Sequence, residues 1–293
     1  MNLFRSLLFV PGDSERKQER AFATAADALI LDLEDSVAPS RLSFARQLVR
    51  ARLLSAADRA RPQLWVRVNA PSSAAFSADL AAVADAAPSG LVLPKVDTPH
   101  ELVEVAQRLR VLERRAQRAN GSVGLIVIAT ETPHSVFTLG GYRESVDRLH
   151  GLAWGSEDLS AALGASSKLE DGGSLSFTFR LARSMCLLAA AAARVQAIDG
   201  VYVDYRDTAG LAREAAAARR DGFTGKLAIH PDQVAAINTA FTPTAREVEW
   251  ATAAVQAFEA SSDAGVIGLE GRMLDRAHLA QARRILALKL LSA

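Results

Sequence analysis

Ala28-Leu-Ile-Leu-Asp-Leu33 is the stretch on which the fold turns. Apart from Asp32 it is an unbroken run of apolar residues, with no alternation of apolar and polar positions. A strand of that kind is covered on both faces, which is the situation of a parallel sheet inside an α/β protein. Upstream, Ser6 to Val10 reads the same way, and Glu15 to Ala26 between them is rich in Ala, Arg and Glu and reads as a helix. A strand, a helix and a second strand in succession make a parallel pair joined by a crossover.

Six further runs follow: Leu64 to Val68, Gly90 to Leu93, Gly124 to Ala129, Leu152 to Trp154, Gly200 to Val203 and Lys226 to Ile229. Helix-like stretches separate them, among them Leu42 to Leu54, Pro99 to Ala119, Phe177 to Arg194 and Leu211 to Asp221. Eight strand–helix repeats are the number that closes a (β/α)8 barrel; an open doubly wound sheet is the alternative. The expected organisation is one barrel domain over residues 1–240 and a C-terminal helical extension over residues 241–293. A glycine-rich break, Gly265, Gly268 and Gly271, interrupts that extension. No tandem repeat or low-complexity linker is visible.

Composition agrees with a single large core: 293 residues, 49% of them hydrophobic. With 34 basic and 33 acidic residues the net charge is +1, and no basic tract offers a surface for nucleic acid. Met1 to Pro11 carries one basic residue before acidic Asp13 and Glu15, unlike a signal peptide, and no segment reaches the roughly 18 apolar residues of a membrane span. The expectation is a soluble, cytoplasmic protein. The one cysteine, Cys186, lies in an Ala-rich apolar stretch and is expected to be a buried helix residue.

Active sites of such barrels lie at the C-terminal ends of the strands, and polar residues gather where the runs end. Pro11 and Gly12 follow the first, Asp32, Glu34 and Asp35 the second, Arg67 to Asn69 the third, and Pro94 and Lys95 the fourth. Glu131 follows the fifth, Gly155, Ser156, Glu157 and Asp158 the sixth, Asp204 the seventh, and His230 and Pro231 the eighth. Carboxylates converging on one mouth repel each other and raise each other's pKa unless a cation sits among them. With no His or Cys cluster to offer softer donors, a hard divalent ion such as Mg2+ is the natural partner. Each residue also has a plainer reading. Arg67 and Lys95 pair with Glu34 and Asp35, His134 and His230 cap or pack, and Gly155 to Asp158 form a turn that N-caps the following helix.

Eight motifs stand in order along the chain: Arg5-Ser-Leu-Leu-Phe-Val-Pro-Gly12, Leu31-Asp-Leu-Glu-Asp-Ser-Val37, Val66-Arg-Val-Asn69, Leu93-Pro-Lys95, Glu131-Thr-Pro133, Gly155-Ser-Glu-Asp-Leu159, Ile229-His-Pro231 and Gly271-Arg-Met-Leu-Asp275. Together they resemble the citrate lyase beta-chain family, which includes malyl-CoA, methylmalyl-CoA and citramalyl-CoA lyases. They span essentially the whole chain in the family's order. The resemblance implies a TIM barrel that binds Mg2+ through Glu131 and Asp158, with Arg67 on the reacting oxygens and the backbone of Gly155, Ser156 and Glu157 receiving the substrate carboxylate. It implies that Glu34, Asp35, Asn69 and Lys95 hold Arg67 and the metal's water in place, and that Arg16 and Arg20 meet CoA phosphates, although arginines on an Arg-rich helix are also often simply solvated. It further implies a homo-oligomer, trimer or hexamer, in which Asp275 on a mobile C-terminal segment moves a proton at a neighbouring subunit's mouth.

The implied reaction is Mg2+-dependent retro-Claisen cleavage of a 3-hydroxyacyl-CoA thioester (citramalyl-CoA, malyl-CoA or citryl-CoA) to a 2-oxo acid and acetyl-CoA or a homologue. The alternatives are a citrate lyase beta subunit working on a carrier-bound citryl group, a metal-dependent pyruvate-type aldolase, and a degenerate paralogue that only binds a CoA ester. The joint presence of Arg67, Glu131, Asp158 and Asp275 stands against the last. A Schiff base on Lys95 is chemically conceivable, and the carboxylates around it argue against it.

Overall fold

The computed structural model describes residues 3–56, 62–144, 147–261 and 265–289. Eight parallel strands close a barrel in chain order: β1 (Ser6–Pro11), β2 (Ala28–Asp32), β3 (Gln63–Arg67), β4 (Gly90–Leu93), β5 (Gly124–Ile128), β6 (Leu149–Ala153), β7 (Gln196–Asp199) and β8 (Gly225–Ala228). β8 pairs back onto β1, Leu7 against Leu227, so no edge is left open. Helices α1 (Glu15–Phe22), α2 (Leu42–Ser55), α3 (Phe76–Val83), α4 (His100–Arg115), α5 (Pro133–Thr138), α6 (Glu157–Leu163), α7 (Phe177–Ala193), α8 (Thr208–Asp221) and α9 (Val234–Phe241) lie outside the sheet. The closed-barrel expectation holds and the open sheet is excluded.

The two-residue period of each strand sorts its side chains between two cores. Leu7, Ala28, Ile30, Trp65, Val92, Ile126, Ile128, Ala153, Ile198 and Leu227 fill the barrel interior. Their neighbours, such as Leu8, Leu29, Leu31, Val66 and Leu91, pack outward beneath the helices, where Cys186 is buried as expected. Trp65 fills the lower interior, with the edges of Phe4 and His150 at centroid distances of 5.8 and 5.7 Å. A Cβ on Gly90 would come within 2.1 Å of the Trp65 ring, so the indole and that glycine require each other.

The seventh strand differs from expectation. β7 is Gln196–Asp199, and Gly200 to Val203 belongs to the loop that follows. Polar residues at both ends obscured it, and each has a buried partner. Gln196 bonds the backbone of Phe4 in both directions. Asp199 accepts from Trp154 Nε1 at 2.9 Å, Arg183 Nε at 2.8 Å and Lys226 Nζ at 2.7 Å.

Beyond α9 the chain builds a small core of its own. Helices α10 (Ala245–Ala260) and α11 (Arg276–Lys289) pack Ala251, Ala254, Phe258, Leu279 and Ala282 against Leu274 of an antiparallel hairpin. That hairpin, β9 (Val266–Leu269) with β10 (Arg272–Asp275), replaces the expected glycine-rich break. Glu270 and Gly271, with φ of 49° and 75°, make its two-residue turn, the positive-φ pair that matches the twist of a hairpin. Among the described residues no helix is long and apolar enough to cross a membrane.

Candidate active site

The parity of β2 and β3 carries polar groups into the barrel. Ala28 and Ile30 point inward, and the next inward position on β2 is Asp32; on β3 Trp65 points inward, and the next is Arg67. The two are Cα partners across the strands. Arg67 donates from Nε and Nη2 to the two oxygens of Asp32, each at 2.7 Å, while Nη1 lies 3.0 Å from Glu34 and 3.5 Å from Asp35. The guanidinium also lies over the Phe9 ring, 4.7 Å from its centroid. Burial works against the charge on Arg67, and Asp32, Glu34 and Asp35 overcome it and raise its pKa. Burial pushes Asp32 up as well, but Arg67 prevails and holds that carboxyl below its ordinary value. The result is a permanently charged, rigidly held fork.

Lys95, after β4, has a left-handed backbone with φ of 51°. That turn aims its amide at Glu131 Oε2, 2.6 Å away. Its ammonium meets Glu34, Asp35 at 3.2 Å and Asp158 at 3.3 Å. Burial lowers the Lys95 pKa, and the surrounding carboxylates more than reverse this, so the amine stays protonated. A Schiff-base nucleophile needs the opposite.

Glu131 is 4% exposed and its pKa is pushed up to about 8 by burial, with the nearby Asp158 and Glu34 adding to the effect against the Lys95 amide and Arg67. Gly155 gives it room: a Cβ there would lie 2.8 Å from Glu131 Cγ and 2.9 Å from Ile128 Cγ2. Asp158 sits in the first turn of α6, immediately beyond that glycine. Ser156 donates to Glu157 at 3.1 Å, and Lys168 binds both Ser156 and Glu157.

Asp32, Asp35, Arg67, Glu131 and Gly155 to Asp158 line one cavity of about 350 Å3 at the C-terminal mouth of the barrel, and Lys95 and Glu34 bond residues of that lining. Among the described residues no three acidic, His or Cys side chains form a complete metal cage. Two hard carboxylates, one of them poorly solvated, with room for water and substrate oxygens, fit a Mg2+-type ion better than an all-protein site.

Other expected residues lie elsewhere. Asn69 donates to the Leu33 carbonyl and to Asp79, each at 2.8 Å, tying the end of β2 to α3 rather than to the Arg67 side chain. Arg16 and Arg20 are exposed on α1, Arg20 3.5 Å from Asp232. Asp275 is exposed on the C-terminal hairpin and does not line its own chain's cavity. It N-caps α11, accepting from Ala277 and His278, and the His278 ring above all holds its pKa down. His230 caps the turn after β8 by accepting from the Asp232 amide, and its ring stacks on Tyr205. Asp32 was placed at the mouth by the sequence but given no role, and Lys168 was not singled out. Inward parity would have pointed Asp32 at the interior, whereas Lys168, eleven residues beyond Glu157 on a loop, gives no local signal.

A closed (β/α)8 barrel with a buried arginine fork and acidic side chains around a cavity at its C-terminal mouth has the layout of a barrel enzyme. The chain belongs to the HpcH/HpaI aldolase/citrate lyase family, whose profile matches residues 5–231, and a profile for C–C bond lyases of the TIM-barrel fold matches residues 180–289. It is 36% identical to the citrate lyase subunit beta of Escherichia coli over 97% of this chain and 92% of that one. It is 34% identical to a (3S)-malyl-CoA thioesterase of Cereibacter sphaeroides over 97% and 94% of the two chains. Among solved structures it resembles the CitE protein of Mycobacterium tuberculosis in complex with magnesium, acetoacetate and coenzyme A, with TM-score 0.75, 32% identity and 97% coverage of both chains.

Proposed function

We propose that this chain is a Mg2+-dependent carbon–carbon lyase that cleaves a 3-hydroxyacyl-CoA thioester into a 2-oxo acid and acetyl-CoA or a homologue. The observation that carries the reading is the meeting of Glu131 and Asp158, 27 positions apart in sequence, on one cavity with the Arg67 fork. Glu131 and Asp158 would hold the ion, which supplies electron withdrawal from the substrate's hydroxyl and neighbouring carboxylate when bound. The backbone of Gly155, Ser156 and Glu157 receives that carboxylate. As the C2–C3 bond breaks, Arg67 faces the oxygen on which charge develops, and Asp32 keeps the fork aimed there without reorganisation. Glu34, Asp35 and Lys95 fix Arg67 and Glu131 by direct contacts, and Asn69 steadies the strand end behind them.

Asp275 moves the proton at the thioester's α-carbon from a neighbouring copy, with the barrel of residues 1–240 and the extension of residues 241–293 as the two working parts. In support, the hairpin turns Asp275 outward together with Met273, which is 78% exposed, a combination suited to insertion into another subunit of a trimer or hexamer. Arg16 and Arg20 contact CoA phosphates.

The test is mass spectrometry of products from purified protein, Mg2+ and a panel of malyl-, citramalyl- and citryl-CoA, repeated with Glu131→Gln and Asp158→Asn. A 2-oxo acid with acetyl-CoA, lost in both variants, is the expected result. Free CoA with the intact hydroxy acid would make the protein a thioesterase, and unchanged turnover in the variants would end the metal assignment.

A further inference from the structure

Closure of the barrel divides the mouth into two arcs. The β2, β3, β5 and β6 ends contribute Asp32, Arg67, Glu131 and Asp158, whereas β7, β8 and β1, contiguous around the ring, contribute Val201, Leu227, Ile229 and Phe9. The second arc is wholly apolar. Among the described lining residues Arg67 is the one cation, facing Asp32, Asp35, Glu131, Glu157 and Asp158.

We propose that the mouth selects a substrate whose carbinol carbon bears hydrogen or a methyl group and rejects one bearing a charged carboxymethyl arm. This deepens the lyase reading and rests on it. The substrate's reacting oxygens belong on the polar arc, so the remaining substituent of that carbon falls against the apolar one. A second carboxylate there needs a cation, and among the described residues Arg67, Lys95 and Lys168 at the mouth are each already engaged. Arg67 is held by Asp32, Glu34 and Asp35, Lys95 by Glu34, Asp35 and Asp158, and Lys168 by Glu157 and Ser156. Among the described residues six carboxyl groups thus share three cations, and none of the three is left to pair a further carboxylate. A methyl group gains from contact with Ile229 and Val201; an unpaired carboxylate loses its hydration there and meets repulsion.

Two measurements on the full chain with Mg2+ decide the matter. Citramalyl-CoA or malyl-CoA should exceed citryl-CoA by at least about a hundredfold in kcat/KM, since a charge without a partner is rejected far more strongly than a missing methylene. In calorimetry pyruvate should bind at least about tenfold more tightly than oxaloacetate, and Ile229→Arg, which brings a cation to the apolar arc, should reverse or erase that preference. Citryl-CoA cleaved within tenfold of the others, oxaloacetate binding as tightly as pyruvate, or binding of neither would overturn the inference. If pyruvate is preferred while no thioester is cleaved, the inference stands and the lyase reading falls.

Discussion

Replacing Glu131 by Gln separates the ionic role of this side chain from its shape. The amide oxygen can still accept from Lys95 N, which lies 2.6 Å from Oε2, so the turn after β4 keeps its contact while the charge is removed. In the folded protein this carboxyl titrates near 8, against an ordinary value of 4.5, chiefly because burial penalises the ionised form. Below pH 4.5 it is protonated in both states. Between 4.5 and 8 the unfolded chain has lost the proton and the folded chain retains it, so unfolding releases a proton and stability falls by about 1.4 kcal/mol for each pH unit. Above 8 both states are ionised and the loss is complete, on the order of 5 kcal/mol.

Without metal, the wild-type chain should therefore lose stability from pH 5 to pH 8.5, while Glu131→Gln loses markedly less over the same window. Glu34, whose pKa burial also raises, stays in both proteins, so the difference reports Glu131 together with its repulsion of Glu34. At pH 8.5 the variant should melt higher by several degrees, up to about 8 °C, at about 1.6 °C per kcal/mol for a chain of this length. Mg2+ should then raise the melting temperature of the wild type and leave the variant unmoved, because an ion that binds only the folded state stabilises by mass action. Scanning calorimetry across pH, with and without Mg2+, reads all of this. Identical pH slopes in the two proteins, or equal stabilisation of both by Mg2+, would refute the reasoning.

Asp32→Asn removes the charge that Arg67 pairs with most closely and turns one of its two acceptors into a donor facing the buried guanidinium; it should cost about 3 to 5 kcal/mol in urea unfolding and at least tenfold in kcat/KM. Asp275→Asn should depress kcat far more than it raises KM, since a proton-transfer group acts in the transition state, and a rise in KM alone would assign the residue to binding. Gly90→Ala forces a methyl to within 2.1 Å of the Trp65 ring and should destabilise by about 1 to 3 kcal/mol or more, read as a lower melting temperature with unchanged metal response.

The barrel was legible because parallel strands covered on both faces write themselves as apolar runs, and the helices between them are Ala- and Arg-rich. The seventh strand escaped for the converse reason. Gln196 and Asp199 look like loop residues until Phe4, Arg183 and Lys226, distant in sequence, are found satisfying them. The C-terminal glycines were visible but ambiguous. Only Glu270 and Gly271 have left-handed backbones, and the rest of the stretch is strand that gains its stability from α10 and α11. The position of Asp275 away from its own chain's mouth is a property of packing that local pattern does not carry.

The site itself divides along the same line. Asp32 and Arg67 reach the interior by strand parity, a rule that operates on sequence alone, and their pairing follows from the register of β2 on β3. Glu131 and Asp158 lie beyond the ends of β5 and β6, where no period governs direction. Three local features bring them together: the left-handed turn at Lys95 that aims an amide at Glu131, the missing Cβ at Gly155 that lets the Glu131 side chain pass, and the Thr130 hydroxyl that accepts from the Gly155 amide at 3.0 Å. Each is a contact between residues more than twenty positions apart. A sequence can therefore announce that acidic groups gather at this mouth, while the geometry that brings two of them onto one cavity depends on a lysine backbone and a glycine whose own letters name no chemistry.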